Sequence, residues 1–392
     1  MNFCGVICEF NPFHNGHNYL LEEAKKQTNA EIVCLMSGNF VQRGIPAICS
    51  KYTRAKHAIE CGANAVLELP TVFACSNAEN FATGAIKIFK ALGIKQIAFG
   101  IENTNIEILK KIAELKHENS QRFQTAFKNE IQNGINYNTA LKRSIANTLQ
   151  DNTIIDILNK PNNVLAVEYL TAILKQNADI EVVAINRCDD GYESNTPAGN
   201  FLSASSIRNL IVSNKEYSKF LPKNVKIEEV FDVSQQTMLE ILEILKIRTT
   251  PAKDLEKIYD YSEGIEYRIK EMADKFSTLD EIKNNVATPR YRLPRVNKLL
   301  LYPLLGITKT AVKNAISSKP AVKVIAIKKQ NIDLLKNYNK NKISLISTNK
   351  DYNNLTTIQK QTIQIDLNAS NIYNTILFHK NNEDKKIGTM FL

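Results

Sequence analysis

His14, Gly16 and His17 form a His-x-Gly-His element at the end of the first strand-like run of the sequence. Asn11 and Pro12, just before it, are typical of a turn, and a helix-length segment follows. The N-terminus of a helix offers free backbone N–H groups and the positive end of its dipole to an anion. Gly16 lets a phosphate or a nucleobase approach the backbone closely, and the two imidazoles can reach one phosphate. The element therefore predicts a nucleotide site, with a pair of half-buried structural histidines as the alternative.

A second element that could bind phosphate is the segment 203–208 (SASSIR), which follows a strand-like run ending at Arg187. Ser205 or Ser206 is expected to cap a helix there. Their hydroxyls and the guanidinium of Arg208 could bind phosphate oxygens. A Ser-rich helix start is usually only a cap, but its pairing with the His-x-Gly-His element favours a phosphate site.

The pattern of the first half of the sequence predicts the strands and helices that position these two elements. Short apolar runs alternate with helix-length segments, two of which end at Gly62 and Gly93. Such alternation implies parallel strands with helices on both faces, and ligands then bind beyond the carboxyl ends of the strands. We therefore predict an α/β fold with a Rossmann-like doubly wound parallel sheet. The predicted strands are 3–8, 32–36, 65–69, 96–99 and 180–186, and the predicted helices are 17–28, 50–62, 76–92 and 163–176.

The rest of the chain shows a different pattern. Residues 102–150 are polar and helical, which indicates an insertion between two strands. Helical periodicity dominates 234–317. The strand-like runs that follow are 322–327, 343–347 and 363–366. We predict a catalytic domain over 1–225 and a basic, mostly helical α+β region over 226–392.

Charge is distributed unevenly along the chain. Residues 1–205 hold 19 Lys and Arg against 20 Asp and Glu, and residues 206–284 hold 13 against 15. Residues 285–392 hold 18 against 5, so the formal net charge of +10 comes from the last quarter. A polyanionic partner such as a nucleic acid is the usual reason for such asymmetry, and an Asn- and Lys-rich composition is the alternative.

Composition argues against several other classes of protein. With 392 residues, 44% hydrophobic and 23% charged, the sequence is not that of a disordered or fibrous chain. No apolar run approaches the roughly 18 residues of a membrane-spanning helix, and we expect no signal peptide. The seven cysteines lie within the first 188 residues without a Cys-x-x-Cys pair. We therefore expect reduced thiols, a cytoplasmic protein and no metal site.

The His-x-Gly-His element and the Ser-rich turn together resemble the nucleotidyltransferase superfamily that carries this signature. With further segments, the chain resembles the bacterial tRNA(Met) cytidine acetate ligase family over most of its length. Those segments are 37–44 (SGNFVQRG), 68–70 (ELP), 99–102 (FGIE), 161–165 (PNNVL), 263–268 (EGIEYR) and 290–292 (RYR). The sequence departs from the family pattern at Ile45, Tyr52 and Ile101, where an acidic residue, Trp and Ser are expected.

The resemblance implies a two-step reaction. Acetate attacks the α-phosphorus of ATP to give acetyl-adenylate and pyrophosphate. The acetyl group then passes to N4 of the wobble cytidine of elongator tRNA(Met), releasing AMP. Acetate is already ionised, so its activation needs positioning and charge neutralisation rather than a general base. The implied catalytic residues are His14, His17, Ser206 and Arg208, with Mg²⁺ bound through the phosphates of ATP.

The resemblance also implies an ATP site. Gly100 could instead belong to a tight turn, Asn162 could be a helix cap, and Arg187 could form a surface ion pair. The implied ATP-binding residues are Ile7, Cys8, Glu9, Phe10, Asn11, Pro12, Phe13, His14, Asn15, Gly16, His17, Asn18, Tyr19, Leu20, Gly100, Asn162, Arg187 and Cys188.

The basic C-terminal region is the expected tRNA-binding region, since phosphate contacts from such a patch can position an RNA. A solubilising surface is the alternative. We select as tRNA-binding residues Arg290, Arg292, Arg295 and Lys298. For Arg43, Lys51 and Arg54 a solvated helix face is expected, and only the resemblance favours a place near tRNA or phosphates.

Two other functions remain open from the sequence. A small-molecule adenylyltransferase of the same superfamily would usually be shorter and lack the basic C-terminal region. A non-catalytic RNA-binding protein with a vestigial nucleotide site would not be expected to keep the histidines, Ser206 and Arg208. The oligomeric state and the acid specificity beyond acetate are not predicted.

Overall fold

One sheet runs through the centre of the protein. The computed structural model describes residues 2–187, 199–336 and 338–392. Its strands are β1 (Phe3–Cys8), β2 (Glu31–Ser37), β3 (Phe40–Val41), β4 (Ile45–Pro46), β5 (Ala65–Leu69), β6 (Gln96–Ile101), β7 (Glu181–Asn186), β8 (Ala321–Ile327), β9 (Ser344–Ile346) and β10 (Met390–Phe391). The central sheet has the order β10-β8-β5-β2-β1-β6-β7, with β9 beside β8, and β3 pairs with β4 separately.

The strands from the first half of the chain have the predicted doubly wound arrangement. β1 pairs in parallel with β2 on one side and β6 on the other, so that Cys4 lies opposite both Ile32 and Gln96. β5 and β7 extend the two sides, also in parallel. The strand order reverses between β1 and β6, which opens a crevice beyond their carboxyl ends. The predicted α/β fold is confirmed.

Helices cover both faces of the sheet. Leu21, Ile59 and Ile207 pack on one face, whereas Ile86 and Val167 belong to the apolar core on the other.

Among the described residues, none of the helices is long and apolar enough to span a membrane. The helices are α1 (Asn15–Thr28), α2 (Lys51–Glu60), α3 (Thr71–Ala74), α4 (Ala78–Leu92), α5 (Ile106–Glu118), α6 (Gln121–Gln132), α7 (Tyr137–Leu149), α8 (Thr153–Ile157), α9 (Pro161–Lys175), α10 (Ala204–Val212), α11 (Val233–Thr249), α12 (Ala252–Leu255), α13 (Ile265–Lys275), α14 (Leu279–Val286), α15 (Leu293–Leu305), α16 (Lys309–Ser317), α17 (Asn349–Asn353), α18 (Thr357–Ile376) and α19 (Glu383–Ile387).

The C-terminal part of the chain returns to the sheet. β8 runs antiparallel to β5, with Val66 opposite Ala326. The central sheet therefore includes strands from both sides of residue 225. The predicted boundary between a catalytic domain and a tRNA-binding region at that residue stays a prediction. The predicted strand 363–366 is wrong, because these residues lie within α18. A four-residue apolar run does not distinguish a buried strand from a helix, and the capping box formed by Thr356 and Gln359 was the missed signal.

A buried group of charged side chains joins α2 to the C-terminal helices. Nζ of Lys51 lies 2.7 Å from Oε2 of Glu68 and 2.6 Å from Oδ2 of Asp384, and it donates to Oγ of Ser370 at 3.0 Å. Burial alone would lower the pKa of Lys51, but the carboxylates of Asp384 and Glu68 outweigh burial and raise it. The lysine is fully buried. The sheet and the C-terminal helices are thus linked by ion pairs closed to solvent.

Glu243, on α11, makes the stability of the fold depend on pH. Its side chain is buried, and burial raises its pKa to about 8. Folding is therefore favoured by its protonated form, and this contribution is lost as the pH rises from about 4.5 to 8. Glutamine does not titrate, so Glu243→Gln should not lose this stability. As the pH rises through that interval, its free energy of unfolding should increase relative to that of wild type by about 1 kcal/mol per pH unit. Urea titrations at pH 5 and 8 measure this difference.

The control for that experiment is Glu114→Gln, which alters an exposed glutamate on α5. The free energy of unfolding of Glu114→Gln should differ from that of wild type by the same amount at both pH values. If the difference between Glu243→Gln and wild type is also the same at both, the raised pKa of Glu243 is contradicted.

Candidate active site

A cavity of about 240 Å³ lies beyond the carboxyl ends of β1 and β6. Its lining comes from the turn before α1, the β3–β4 hairpin, the end of β6, and parts of α9, β7 and α10. This is the place where open α/β sheets bind ligands. The fold brings the His-x-Gly-His element and the Ser-rich element, nearly 190 residues apart in sequence, to one cavity.

The two histidines of the motif lie against each other in this cavity. His14 is the N-cap of α1, and its Nδ1 accepts a hydrogen bond from the backbone N–H of Gly16 at 3.0 Å. Because Nδ1 accepts, the proton of a neutral His14 ring is assigned to Nε2. The ring centroids of His14 and His17 are 3.7 Å apart. The pair thus presents two imidazoles at the start of one helix.

His17 is surrounded by apolar and cationic groups. Its ring lies 5.0 Å from that of Phe10 and 5.8 Å from that of Phe13, measured between centroids. Burial, followed by the nearby His14 and Arg187, lowers the pKa of His17 well below its ordinary value. Its buried Nδ1 has no hydrogen-bond partner among the residues that the structure describes. His17 is therefore a neutral ring with a polar atom suited to a ligand.

Arg187 and Arg208 bring positive charge to the same cavity. Nη1 of Arg208 donates to the backbone oxygen of Asn11 at 2.6 Å, which fixes this guanidinium beside the turn that carries the histidines. Two guanidinium groups and two imidazoles around one space form a site for an anion with several oxygens.

The cap of α10 is Ser203, so the expectation of Ser205 or Ser206 was wrong. Oγ of Ser203 accepts from the backbone N–H of Ser206 at 3.2 Å. With the cap two or three residues earlier, Ser205 lines the cavity, and Ser206 is not among its described lining residues. The hydroxyl of Ser206 lies 2.9 Å from that of Ser203 instead. The catalytic assignment of Ser206 stays a prediction, and Ser205 is the better-placed hydroxyl.

Gly100 and Asn162 also line the cavity, at the end of β6 and the start of α9. A Cβ at Gly100 would lie 3.3 Å from Cγ of Arg187, so the glycine leaves room for the stem of that arginine. Nδ2 of Asn162 donates to Oε1 of Glu102 at 2.9 Å. The N-cap of α9 is Lys160, so Asn162 does not have the capping role that was the alternative.

Most of the residues predicted to bind ATP line this cavity, and their role in binding remains a prediction. Cys188 lies outside the described residues. Four of the set belong to the same turn or helix but do not line the cavity: Pro12, Phe13, Asn15 and Asn18. Those that line it are Ile7, Cys8, Glu9, Phe10, Asn11, His14, Gly16, His17, Tyr19, Leu20, Gly100, Asn162 and Arg187.

Comparisons with known proteins show the family of this chain. A family model described as HIGH Nucleotidyl Transferase matches residues 1–388. A tRNA(Met) cytidine acetate ligase from Thermosipho africanus is 32% identical over 100% of this chain and 98% of its own length. One from Clostridium perfringens is 32% identical over 95% of each chain. This chain belongs to the tRNA(Met) cytidine acetate ligase family.

Solved structures of TmcAL from Thermotoga maritima resemble this ligase-family chain over their whole length. The apo structure has a TM-score of 0.91 and the complex with α-thio ATP one of 0.89. Each is 26% identical and covers 100% of both chains. The resemblance predicted from the sequence segments is confirmed.

In this ligase-family member a short hairpin, β3–β4, also lines the cavity, and sequence periodicity did not predict it. Its lining residues include Val41, Gln42 and Arg43. Strands of two residues are too short to show alternation. The turn signal was Gly44, whose φ of 71° is in the left-handed region that favours glycine.

Lys51 and Arg54 do not form a solvated helix face, because both side chains are fully buried. Their full burial also argues against direct contact with tRNA, and a place near the phosphates stays a prediction. Arg54 instead ties together the ends of β1 and β2 and the segment before α2. Its guanidinium donates to four backbone carbonyl oxygens, those of Glu9, Ser37, Gly38 and Cys49.

Of the predicted tRNA-binding cations, Arg290 and Arg292 precede α15, and Arg295 and Lys298 lie in its first half. Arg290 and Arg292 are exposed, and Arg290 pairs with the exposed Glu263. Pairs of this kind at a surface contribute little to stability. These two guanidinium groups can therefore face a partner.

Arg295 and Lys298 have partners within the protein. Nε and Nη2 of Arg295 lie 2.7 and 2.8 Å from the carboxylate oxygens of Asp260, and its guanidinium lies 4.6 Å from the ring centroid of Tyr291. Nζ of Lys298 donates to the backbone oxygen of Ser76 at 2.7 Å. Their assignment to tRNA stays a prediction, and these contacts favour a structural role.

The three departures from the family pattern lie near the site or in buried positions. Ile45 lines the cavity beside the hairpin, and Ile101 is buried at the end of β6. The hydroxyl of Tyr52 donates to Oδ1 of Asp384 at 2.8 Å. A hydrogen-bonding side chain is thus retained where Trp was expected.

Proposed function

We propose that this protein is an ATP-dependent ligase that acetylates N4 of the wobble cytidine of elongator tRNA(Met). The observation that carries the proposal is a single cavity shared by His14, His17, Arg187 and Arg208. Groups of this kind bind a polyphosphate and stabilise the charge that develops at phosphorus. The names of the relatives support the acyl group and the RNA, and the α-thio ATP complex of the Thermotoga maritima relative supports the nucleotide.

In the first step, an oxygen of acetate attacks the α-phosphorus of ATP, and the bond to the bridging oxygen of the β-phosphate breaks. Nε2–H of His14 donates to an oxygen of the reacting phosphate, and His17 hydrogen-bonds alongside it. Arg208 and the nearby hydroxyl of Ser205 hold the departing pyrophosphate. A neutral His17 suits this task, since it orients the phosphate and leaves charge neutralisation to the arginines.

Mg²⁺ is expected to arrive with ATP. Within the described residues there is no group of three or more His, Cys, Asp or Glu side chains that could hold a metal ion. Mg²⁺ in phosphoryl-transfer sites is commonly bound through substrate phosphates and few protein ligands. The residues thus fit an ion held chiefly by the phosphates, where it would neutralise charge on the leaving group.

The exposed Arg290 and Arg292 are proposed to contact the tRNA backbone. We expect Arg290→Ala combined with Arg292→Ala to weaken tRNA binding and to reduce the slope of log K against log salt by about 1 to 2. Fluorescence anisotropy with labelled tRNA over a salt series measures both. Lys56→Ala combined with Lys95→Ala is the matched control, since these two lysines are also exposed and lie on other elements. Unchanged affinity and slope in the arginine variant would remove these residues from the tRNA surface.

One incubation tests the proposed function against its two alternatives. Protein, labelled acetate, ATP and bulk tRNA should yield label in precipitable RNA. An adenylylated small molecule without labelled RNA would favour a small-molecule adenylyltransferase. Binding of tRNA without any turnover would favour a non-catalytic RNA-binding protein.

A cytoplasmic location is part of the proposal. The six cysteines within the described residues are all free thiols. Free thiols are usual in a reducing compartment, which is also where a tRNA substrate would be met.

A further inference from the structure

Glu9 is an acidic side chain in a cavity otherwise suited to anions. Of the described residues that line the cavity, it alone carries a carboxylate. The same lining includes Arg43, Arg187 and Arg208 together with the two histidines. In the proposed first step both reactants, ATP and acetate, are negatively charged. A carboxylate there does not attract the phosphates of ATP or the acetate ion, and it is suited instead to a group that donates hydrogen bonds.

The backbone and the side chain of Glu9 are both fixed. Its carbonyl oxygen accepts from the buried guanidinium of Arg54. Its Oε1 accepts from the backbone N–H of Gln42 in the β3–β4 hairpin at 2.7 Å. Among the described residues no hydrogen bond involves Oε2. One carboxylate oxygen is thus anchored, and the other is available to a group entering the cavity.

We propose that Glu9 binds the N4 amino group of the target cytidine and accepts its proton during acetyl transfer. The inference rests on the proposed function. An amino group that donates hydrogen bonds matches a carboxylate, and acidic side chains are the usual acceptors for N4 of cytosine. Glu9 lines the same cavity as His14 and His17, so this acceptor and the proposed acetyl-adenylate share one site.

The second step then balances as follows. The lone pair of N4 forms a bond to the acetyl carbonyl carbon, and the bond from that carbon to the phosphate oxygen of AMP breaks. AMP leaves with that electron pair. One proton of N4 passes to Oε2 of Glu9 and later to water. The lone pair of N4 is conjugated with the cytosine ring, so this amine is a weak nucleophile and needs a proton acceptor, unlike acetate in the first step.

Several charged or titratable groups act electrostatically on Glu9 or lie on elements packed around it. Glu9 and burial together raise the pKa of Tyr169, with burial the larger cause. The other groups that Glu9 influences in this way are Arg54, Lys298, Cys8 and Cys75. A test of Glu9 therefore needs a variant that removes the charge and keeps the size of the side chain.

Glu9→Gln tests the proposal, because an amide oxygen can still accept from Gln42 but cannot take a proton. Chemically prepared acetyl-adenylate and saturating tRNA are mixed with excess enzyme, so that a single turnover reports the second step alone. We expect Glu9→Gln to transfer acetyl about 100-fold more slowly than wild type. Glu9→Asp, which keeps the carboxylate, should recover part of the rate.

Two results would overturn the inference. One is transfer by Glu9→Gln within threefold of wild type. The other is an equal loss in single-turnover transfer and in acetate-dependent ATP–pyrophosphate exchange, which would assign Glu9 to the first step or to the shape of the site. Failure of the wild-type protein to acetylate tRNA would instead contradict the proposed function, so the two failures are distinguishable.

Discussion

His17→Ala is expected to lower acetate-dependent ATP–pyrophosphate exchange by about 100- to 1000-fold. The exchange reports the first step only, since pyrophosphate returns to ATP through the acetyl-adenylate. The ring of His17 is packed between Phe10 and His14, and burial lowers its pKa well below its ordinary value. It therefore acts as a neutral, fixed hydrogen-bonding group. Removing such a group from a site of developing charge typically costs about 3 to 4 kcal/mol of transition-state stabilisation.

The low pKa of His17 adds a prediction about its pH profile. A histidine whose pKa is lowered on folding stays neutral at and below pH 6.5, where an ordinary histidine would take a proton. The exchange rate should therefore show no loss from protonation of His17 near pH 6.5. A decline centred at that pH, which is absent from the alanine variant, would mean that the ring is solvated and the described packing is wrong.

His117→Ala is the matched control for His17→Ala, because His117 is an exposed histidine near the end of α5. It should exchange at the wild-type rate. His14→Ala is expected to lose exchange as His17→Ala does, and both variants should keep wild-type affinity for tRNA. Exchange by His17→Ala within threefold of wild type would contradict the assignment of the histidine pair to the nucleotide.

The parallel strands in the first half of the chain and the cavity at their carboxyl ends could be predicted because their signals are local. Alternation of apolar runs and helical segments is set by side-chain burial in β1, β2, β5 and β6. The His-x-Gly-His motif at the end of the first run then places the site, since the carboxyl ends of parallel strands meet at one edge. The cap of α10 was predicted two or three residues late, because several adjacent serines can each satisfy a helix N-terminus.

What could not be predicted depends on contacts between distant parts of the chain. Lys51 and Arg54 have the spacing of an exposed helix face, and only the tertiary structure shows that acidic side chains and backbone carbonyls enclose them. β8 joins the sheet from more than 250 residues beyond β5, and nothing local in the sequence indicates this antiparallel neighbour. The acidic character of the cavity at Glu9 likewise becomes informative only once the surrounding arginines are located.

Lys51→Met is expected to lower the free energy of unfolding by about 3 to 5 kcal/mol, the largest stability effect predicted for this protein. Methionine has a similar length and fits an apolar site, so the loss comes from charge rather than volume. It leaves the carboxylates of Glu68 and Asp384 buried, with Lys323 at 3.5 Å from Asp384 as the remaining cation. Urea unfolding followed by circular dichroism measures the change. Lys56→Met, on the exposed side of the same helix, should stay within about 0.5 kcal/mol of wild type.

Neutralising the stranded acids separates this explanation from loss of a well-packed side chain. Lys51→Met combined with Glu68→Gln and Asp384→Asn should recover most of the lost stability, because no unpaired charge then remains with the buried methionine. If the triple variant is no more stable than Lys51→Met alone, packing rather than charge holds this region together. Glu68 belongs to β5 and Asp384 to α19, so recovery would also show that the C-terminal helices fold cooperatively with the central sheet.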